Sequence, residues 1–194
     1  MRWDNLFDDL ESQLEQELGA EDLDLLAEEE RLRLGRLSLR DRLRAMSTAD
    51  ESVRLILTDG TRVAIAVGAF GRDWIAGEFS GEGLGSASCV IPISAIAGCL
   101  PTHAQTAASV GGDPDSGIGS LASRLGLPFV LRDLCRRRAA VNVRTTRELL
   151  HGTIDRVGRD HFDLAEHEPG VPRRDRSVRA IRLVPMTGIV HLAF

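Results

Sequence analysis

Lysine and tyrosine are absent from this chain of 194 residues, and aromatic side chains make up only 4% of it. Positive charge therefore rests on arginine alone, a pattern that GC-rich coding produces and that suits phosphate recognition where the arginines cluster. With six Phe and two Trp, a core has to be filled by Val, Ile, Leu and Ala. Cysteine is scarce too. Cys89, Cys99 and Cys135 are odd in number and lack C-x-x-C spacing, which argues against a disulfide framework or a zinc ribbon and fits a reducing cytosol. No uncharged apolar run approaches membrane-spanning length, and residues 1–19 carry frequent acids where a secretory leader needs an apolar stretch. The expectation is a cytoplasmic protein.

What is present is the composition of a folded chain, 43% hydrophobic with a net charge of −5. The charge is polarised. Residues 1–50 hold 14 acids against 7 arginines, whereas residues 125–194 hold 13 arginines against 8 acids. Such asymmetry suits a nucleic-acid surface, or an acidic arm that covers one.

The pattern changes along the chain. Trp3, Leu6, Phe7, Leu10, Leu14 and Leu18 recur at helical spacing, so Arg2–Leu18 is expected as an amphipathic helix. A second, acidic then Arg-rich, is expected over Glu21–Leu34, and a third over Ser38–Met46, with Ser38 as its cap and Leu39, Leu43 and Met46 inward. From Ser52 the period becomes two: Val53, Leu55 and Leu57 precede an Asp59-Gly60 turn, and Val63, Ile65 and Val67 follow it. Gly68 and Gly71 mark a bend. Trp74–Phe79, Cys89–Ile93 and Ile96–Leu100 complete five strands. Pro101–Gly119 reads as a linker, Ile118–Leu125 as a helical turn, and Pro128–Arg138 as a helix with Pro at its start.

The strand pattern then begins again at Val141. Gly158-Arg159-Asp160-His161 matches Gly71-Arg72-Asp73-Trp74, and each unit follows a helix containing Leu-Arg-Asp (Leu39-Arg40-Asp41 and Leu131-Arg132-Asp133). Val90–Gly98 lies against Ala180–Gly188. An internal duplication is expected, with residues 1–50 as an acidic helical region, 51–100 as a first unit, 101–124 as a linker and 125–194 as a helix plus the second unit.

A leading helix, five short strands and a second strand bent at a glycine make each unit similar to the Sm-like small β-barrel. The likeness is clearer around Gly152-Thr153-Ile154-Asp155-Arg156-Val157 and Asp160-His161-Phe162-Asp163-Leu164. SH3-like barrels share the strand rhythm. The fold class expected is α+β, mainly β: N-terminal amphipathic helices, then two five-stranded Sm-like or SH3-like barrels, each preceded by a helix. The resemblance implies ring assembly and binding of single-stranded RNA in loops. The Arg-Gly or Lys-Gly pair of the second Sm motif is replaced here by Val184-Pro185-Met186-Thr187 and Ile93-Ser94-Ala95.

Arg136, Arg137 and Arg138 end a helix, where they either clamp phosphates or cap the helix terminus. Arg173, Arg174, Arg176 and Arg179 follow the Glu168–Pro172 loop and are the stronger candidates for a polyanion. Asp160 and His161 join them at the Sm-like loop. His161 and His167 lie near Asp160, Asp163 and Glu166, but strand alternation splits these side chains between faces. No metal site, cofactor or catalytic constellation is expected. The resulting reading is a non-enzymatic regulatory or adaptor protein that binds RNA through its basic second unit. Its alternative is a scaffold that self-associates, or binds a protein partner, through Trp3, Leu6, Phe7, Leu10 and Leu14 and through open strand edges. A DNA-binding regulator ranks third.

Overall fold

The computed structural model describes residues 25–47, 51–80, 87–111 and 121–194. The first expected helix, with Trp3, Leu6, Phe7, Leu10 and Leu14, lies outside the described residues, as does most of the glycine-rich 80–88 segment. Residues 25–36 form helix α1, in which Glu28 pairs with Arg31 and Glu30 with Arg33, each at 2.6 Å. Residues 1–38 and 39–194 are separate compact units.

In the second unit, helix α2 (Leu39–Met46) leads into β1 (Val53–Leu57), β2 (Arg62–Phe70), β3 (Trp74–Ser80), β4 (Ser88–Pro92) and β5 (Ile96–Cys99). Alternation drives these strands: Val53, Leu55, Leu57, Val63 and Ile65 are all buried. The Asp59-Gly60 turn closes with Gly60 at φ 83° and the Thr61 amide donating to Asp59 Oδ1 at 2.9 Å. The expected linker contains helix α3 (His103–Gly111), a correction with a local cause. Thr102 Oγ1 accepts from the Gln105 amide, and Gln105 Oε1 accepts from the Thr102 amide, which is a reciprocal capping box. Helix α4 (Leu127–Arg136) then precedes β6 (Ala140–Thr145), β7 (Leu149–Val157), β8 (His161–Glu166), β9 (Ala180–Pro185) and β10 (Ile189–Ala193).

The two sets of strands do not form two barrels. They make one open antiparallel sheet in the order β5-β1-β2-β3-β4-β10-β6-β7-β8-β9. Each half has the same internal order, but β4 pairs with β10 (Val90 opposite Leu192, Cys89 opposite Ala193) instead of leaving each half to close on itself. Side chains cross this seam. Val190 of β10 joins the first half's core, and Trp74 and Val90 join the second half's.

The duplication is visible in detail, with registers that correct the sequence alignment. Gly71 N–H donates to Trp74 O and Gly158 N–H to His161 O, both at 2.8 Å. The β2/β3 ladder slips between Val67 and Ala69, and the β7/β8 ladder between Ile154 and Arg156. Because Trp74 pairs with Pro92 and His161 with Pro185, Pro92 corresponds to Pro185, three positions from the expected match with Arg182. The buried helix faces correspond as Leu43 and Met46 with Leu131 and Leu134, so the Leu-Arg-Asp triplets lie a turn apart. Leu39, expected to face inward, is exposed.

Candidate functional site

The arginines expected to face a polyanion are largely matched by carboxylates. Arg136 and Arg137 both reach Asp133, at 2.6 and 2.7 Å, and hold its carboxyl below the usual range. Such pairs belong to the end of α4, where cations also meet the helix dipole. Arg179 pairs with Glu168, and Arg182 with Glu148 and Glu166. Arg174 and Arg176 are exposed. Asp160 and His161 pair at 2.8 Å in the open β7–β8 turn, at the far end of β8 from His167. The expected residues thus do not form one surface.

Two of them do meet. Arg138 Nη1 donates to Asp155 Oδ1 at 2.9 Å, and Arg173 grips the same carboxylate through Nε and Nη2 at 3.1 and 2.7 Å. Arg173 Nη1 also reaches Asp175 at 2.6 Å, and these two carboxylates raise its pKa. Asp155 occupies the slip in the β7/β8 ladder. A bulge re-aims one side chain out of the alternating pattern, and here it brings Asp155 under both guanidiniums. The first half has Gly68 in that place, so it holds no such cluster.

Below the arginines lie Thr153 and His167, both buried. His167 Nδ1 is 3.1 Å from the Glu168 carbonyl, which can only accept, so Nδ1 carries the hydrogen. In the neutral ring Nε2 then accepts from Thr153 Oγ1 at 2.9 Å. The His151 ring stands edge-on to His167 at 5.2 Å, with its Nδ1 2.7 Å from Asn142 Oδ1. Alternation along β8 could not reveal His167 beside Thr153, because His167 lies just past the strand's end.

The cysteines behave as core groups. Burial pushes the Cys89 thiol up to about 12 and raises that of Cys99, and Phe162 is fully buried. Among the described residues no three His, Cys, Asp or Glu side chains converge as a metal site, and no helix is long and apolar enough to cross a membrane.

Among the described residues the sheet ends in two unpaired edges, β9 and β5. Their counterparts, β4 and β10, are joined at the internal seam. Leu183 on β9 is 64% exposed, whereas Val90, which holds its place on β4, is 1% exposed. The equivalent turns differ in the same sense. Asp73 Oδ1 accepts from the Leu127 amide at 2.7 Å, and the Trp74 indole N–H donates to the Leu125 carbonyl at 3.0 Å, which docks the start of α4. Asp160 and His161, their counterparts, face solvent. Leu39, the counterpart of buried Leu127, is 42% exposed. Compared with protein-family models, curated proteins and solved structures, the chain finds no match.

Proposed function

We propose that the protein is a non-enzymatic scaffold that self-associates head to tail by continuing its own sheet: β9 of one copy pairs with β5 of the next. The observation that carries this reading is the β4–β10 seam, an internal example of the same joint. It joins the fourth strand of one half to the fifth strand of the other. Repeating that register between copies sets Leu183 opposite Cys99 and Arg182 opposite Leu100 of the next chain. It covers apolar side chains that an isolated chain leaves in water, which supplies the driving force. The second contact copies the docked helix: Asp160 accepts from the Leu39 amide of the neighbour, and Leu39 packs beside His161.

Such a contact is heterologous, because the two edges differ, and it generates a ring or a filament according to its rotation. The ring assembly implied by the Sm-like resemblance agrees with this reading. Binding of single-stranded RNA, the other expectation, has less support, since Arg136, Arg137 and Arg179 already have carboxylate partners and the candidate arginines do not form one surface.

Light scattering on the purified chain over a range of concentrations tests the proposal. The wild type should exceed the 21.1 kDa of one chain, and Leu183→Arg, which places a charge on the free edge, should return it to that mass. A wild type that stays at one chain's mass throughout would defeat the reading.

A further inference from the structure

The cavity over Thr153 and His167 does not take part in the proposed joint, and its chemistry is specific. It measures about 440 Å³ and is lined by Arg138, Ala140, Thr153, His167, Val171, Pro172 and Arg173. That volume falls within the range of small-molecule sites, which combine apolar walls with a few convergent polar groups.

Three observations bear on what it holds. First, two guanidiniums share the Asp155 carboxylate, so one positive charge at the mouth is not matched by an adjoining buried acid. Asp175, the other partner of Arg173, is 97% exposed and projects into solvent, where screening weakens it. Second, among the described residues Arg138 makes one ion pair, through Nη1, and Nε and Nη2 meet no acceptor there. Third, Arg138 stands where a helix normally places glycine. Its amide donates to Cys135 O at 3.0 Å and the Ala139 amide to Leu134 O at 3.1 Å, the two bonds of a Schellman end. Its φ is 52°, the one positive value outside glycine among the described residues. Backbone strain of this kind persists where the surrounding structure imposes it, and it sets the Arg138 guanidinium beside Asp155 at the mouth of the cavity.

We infer that the cavity is a binding site for a phosphate monoester, with Arg138 and Arg173 on the phosphoryl oxygens, Thr153 and His167 at the floor, and Val171 and Pro172 against the organic portion. A phosphoryl group suits two neighbouring guanidiniums better than a carboxylate does, because its three terminal oxygens can accept from the N–H groups that each has left beside its ion pairs. The Thr153 hydroxyl spends its one hydrogen on His167, so it has none to give an anion. Its part is to hold the His167 ring in place. In the first half Gly68 and Ala66 stand in place of Asp155 and Thr153, so one site per chain is expected.

The test is calorimetric titration of the whole chain with inorganic phosphate and with ribose 5-phosphate, in chloride of matched ionic strength. Saturable binding with one site per chain is expected for ribose 5-phosphate. If inorganic phosphate binds as tightly, the site recognises the anion alone; if ribose 5-phosphate binds at least ~10-fold tighter, the organic portion is read as well. Arg138→Gly removes the side chain while suiting the backbone, and should lower affinity ~10-fold or more with the fold intact. Arg138→Gln, which retains the strained backbone, should lose affinity equally. No binding of either compound, or affinity unchanged in both variants, overturns the inference.

Discussion

Replacing Gly152 with alanine adds a single methyl group in the middle of β7, between two hydrogen-bonded neighbours. Gly152 pairs with Val141 on one side and Glu166 on the other. A Cβ built there meets the Ala165 carbonyl oxygen at 2.3 Å, its carbon at 2.9 Å and Leu164 Cγ at 3.1 Å. Two of these atoms are backbone, so relief requires β7 and β8 to separate. Overpacking of this kind costs about 1–3 kcal/mol, against which alanine recovers about 0.4–1 kcal/mol of chain entropy. The difference, a net loss of about 1 kcal/mol, lowers the unfolding midpoint by roughly 2–4 °C in a chain of this size. Gly188→Ala is the internal control. Nothing lies within 4 Å of its Cβ, so its midpoint should stay level or rise slightly. Scanning calorimetry of the three proteins settles the matter. If Gly152→Ala unfolds within 1 °C of wild type, roughly the resolution such a scan needs, the close approach of β7 and β8 is not as described.

Two further predictions concern pH and the joint. Burial holds the His191 and His151 rings below 6.5, with Arg144 adding to the effect at His191 while Asp59 opposes it, and His167 adding to it at His151. The unfolded chain then takes up more protons than the folded one as pH falls through about 6.5. Stability should be complete above neutrality and decline below that point, and His191→Leu should flatten the decline in urea midpoints measured from pH 8 to 5; an unchanged slope would refute the assignment. Asp59 acts at lower pH. Burial opposes its ionisation, but the Thr61 amide and Arg144 outweigh it and keep its carboxyl depressed, so its contribution is lost only below the unfolded value of about 3.9. At the proposed joint, Asp160→Ala removes a helix-capping acceptor worth about 1 kcal/mol. It should weaken self-association roughly 5-fold by sedimentation, short of the full loss expected for Leu183→Arg; identical curves for Asp160→Ala and wild type would remove the helix contact from the joint.

Individual strands were legible from alternation, and the turns from Asp59-Gly60 and the paired Gly-Arg-Asp runs. Their assembly into one sheet was not, because period two says which face a residue occupies and nothing about which strand lies beside it. A trace of the answer was present. Cys89-Val90-Ile91-Pro92 is a continuous apolar run, the pattern of a strand covered on both faces, whereas Arg182 interrupts its counterpart on free β9. Helix α3 was hidden by polar composition, although Thr102 and Gln105 have capping-box spacing. The arginine clusters misled for a related reason. Counted in sequence they look unopposed, but Asp133, Asp155, Glu168 and Asp175 fold back onto them. The meeting of Arg138, Asp155 and Arg173 depends on a bulge, and the Thr153–His167 pair on a residue past a strand's end, neither of which a periodic pattern encodes.

The β4–β10 seam also sets how assembly responds to concentration. Because it lies within one chain, every second joint of a ring or filament forms at the high effective concentration of a tether. Only the joints between β9 and β5 depend on how much protein is present. An array with a given number of repeats therefore needs half the bimolecular encounters that single-unit subunits would require, and its breakage should yield pieces with an even number of repeats.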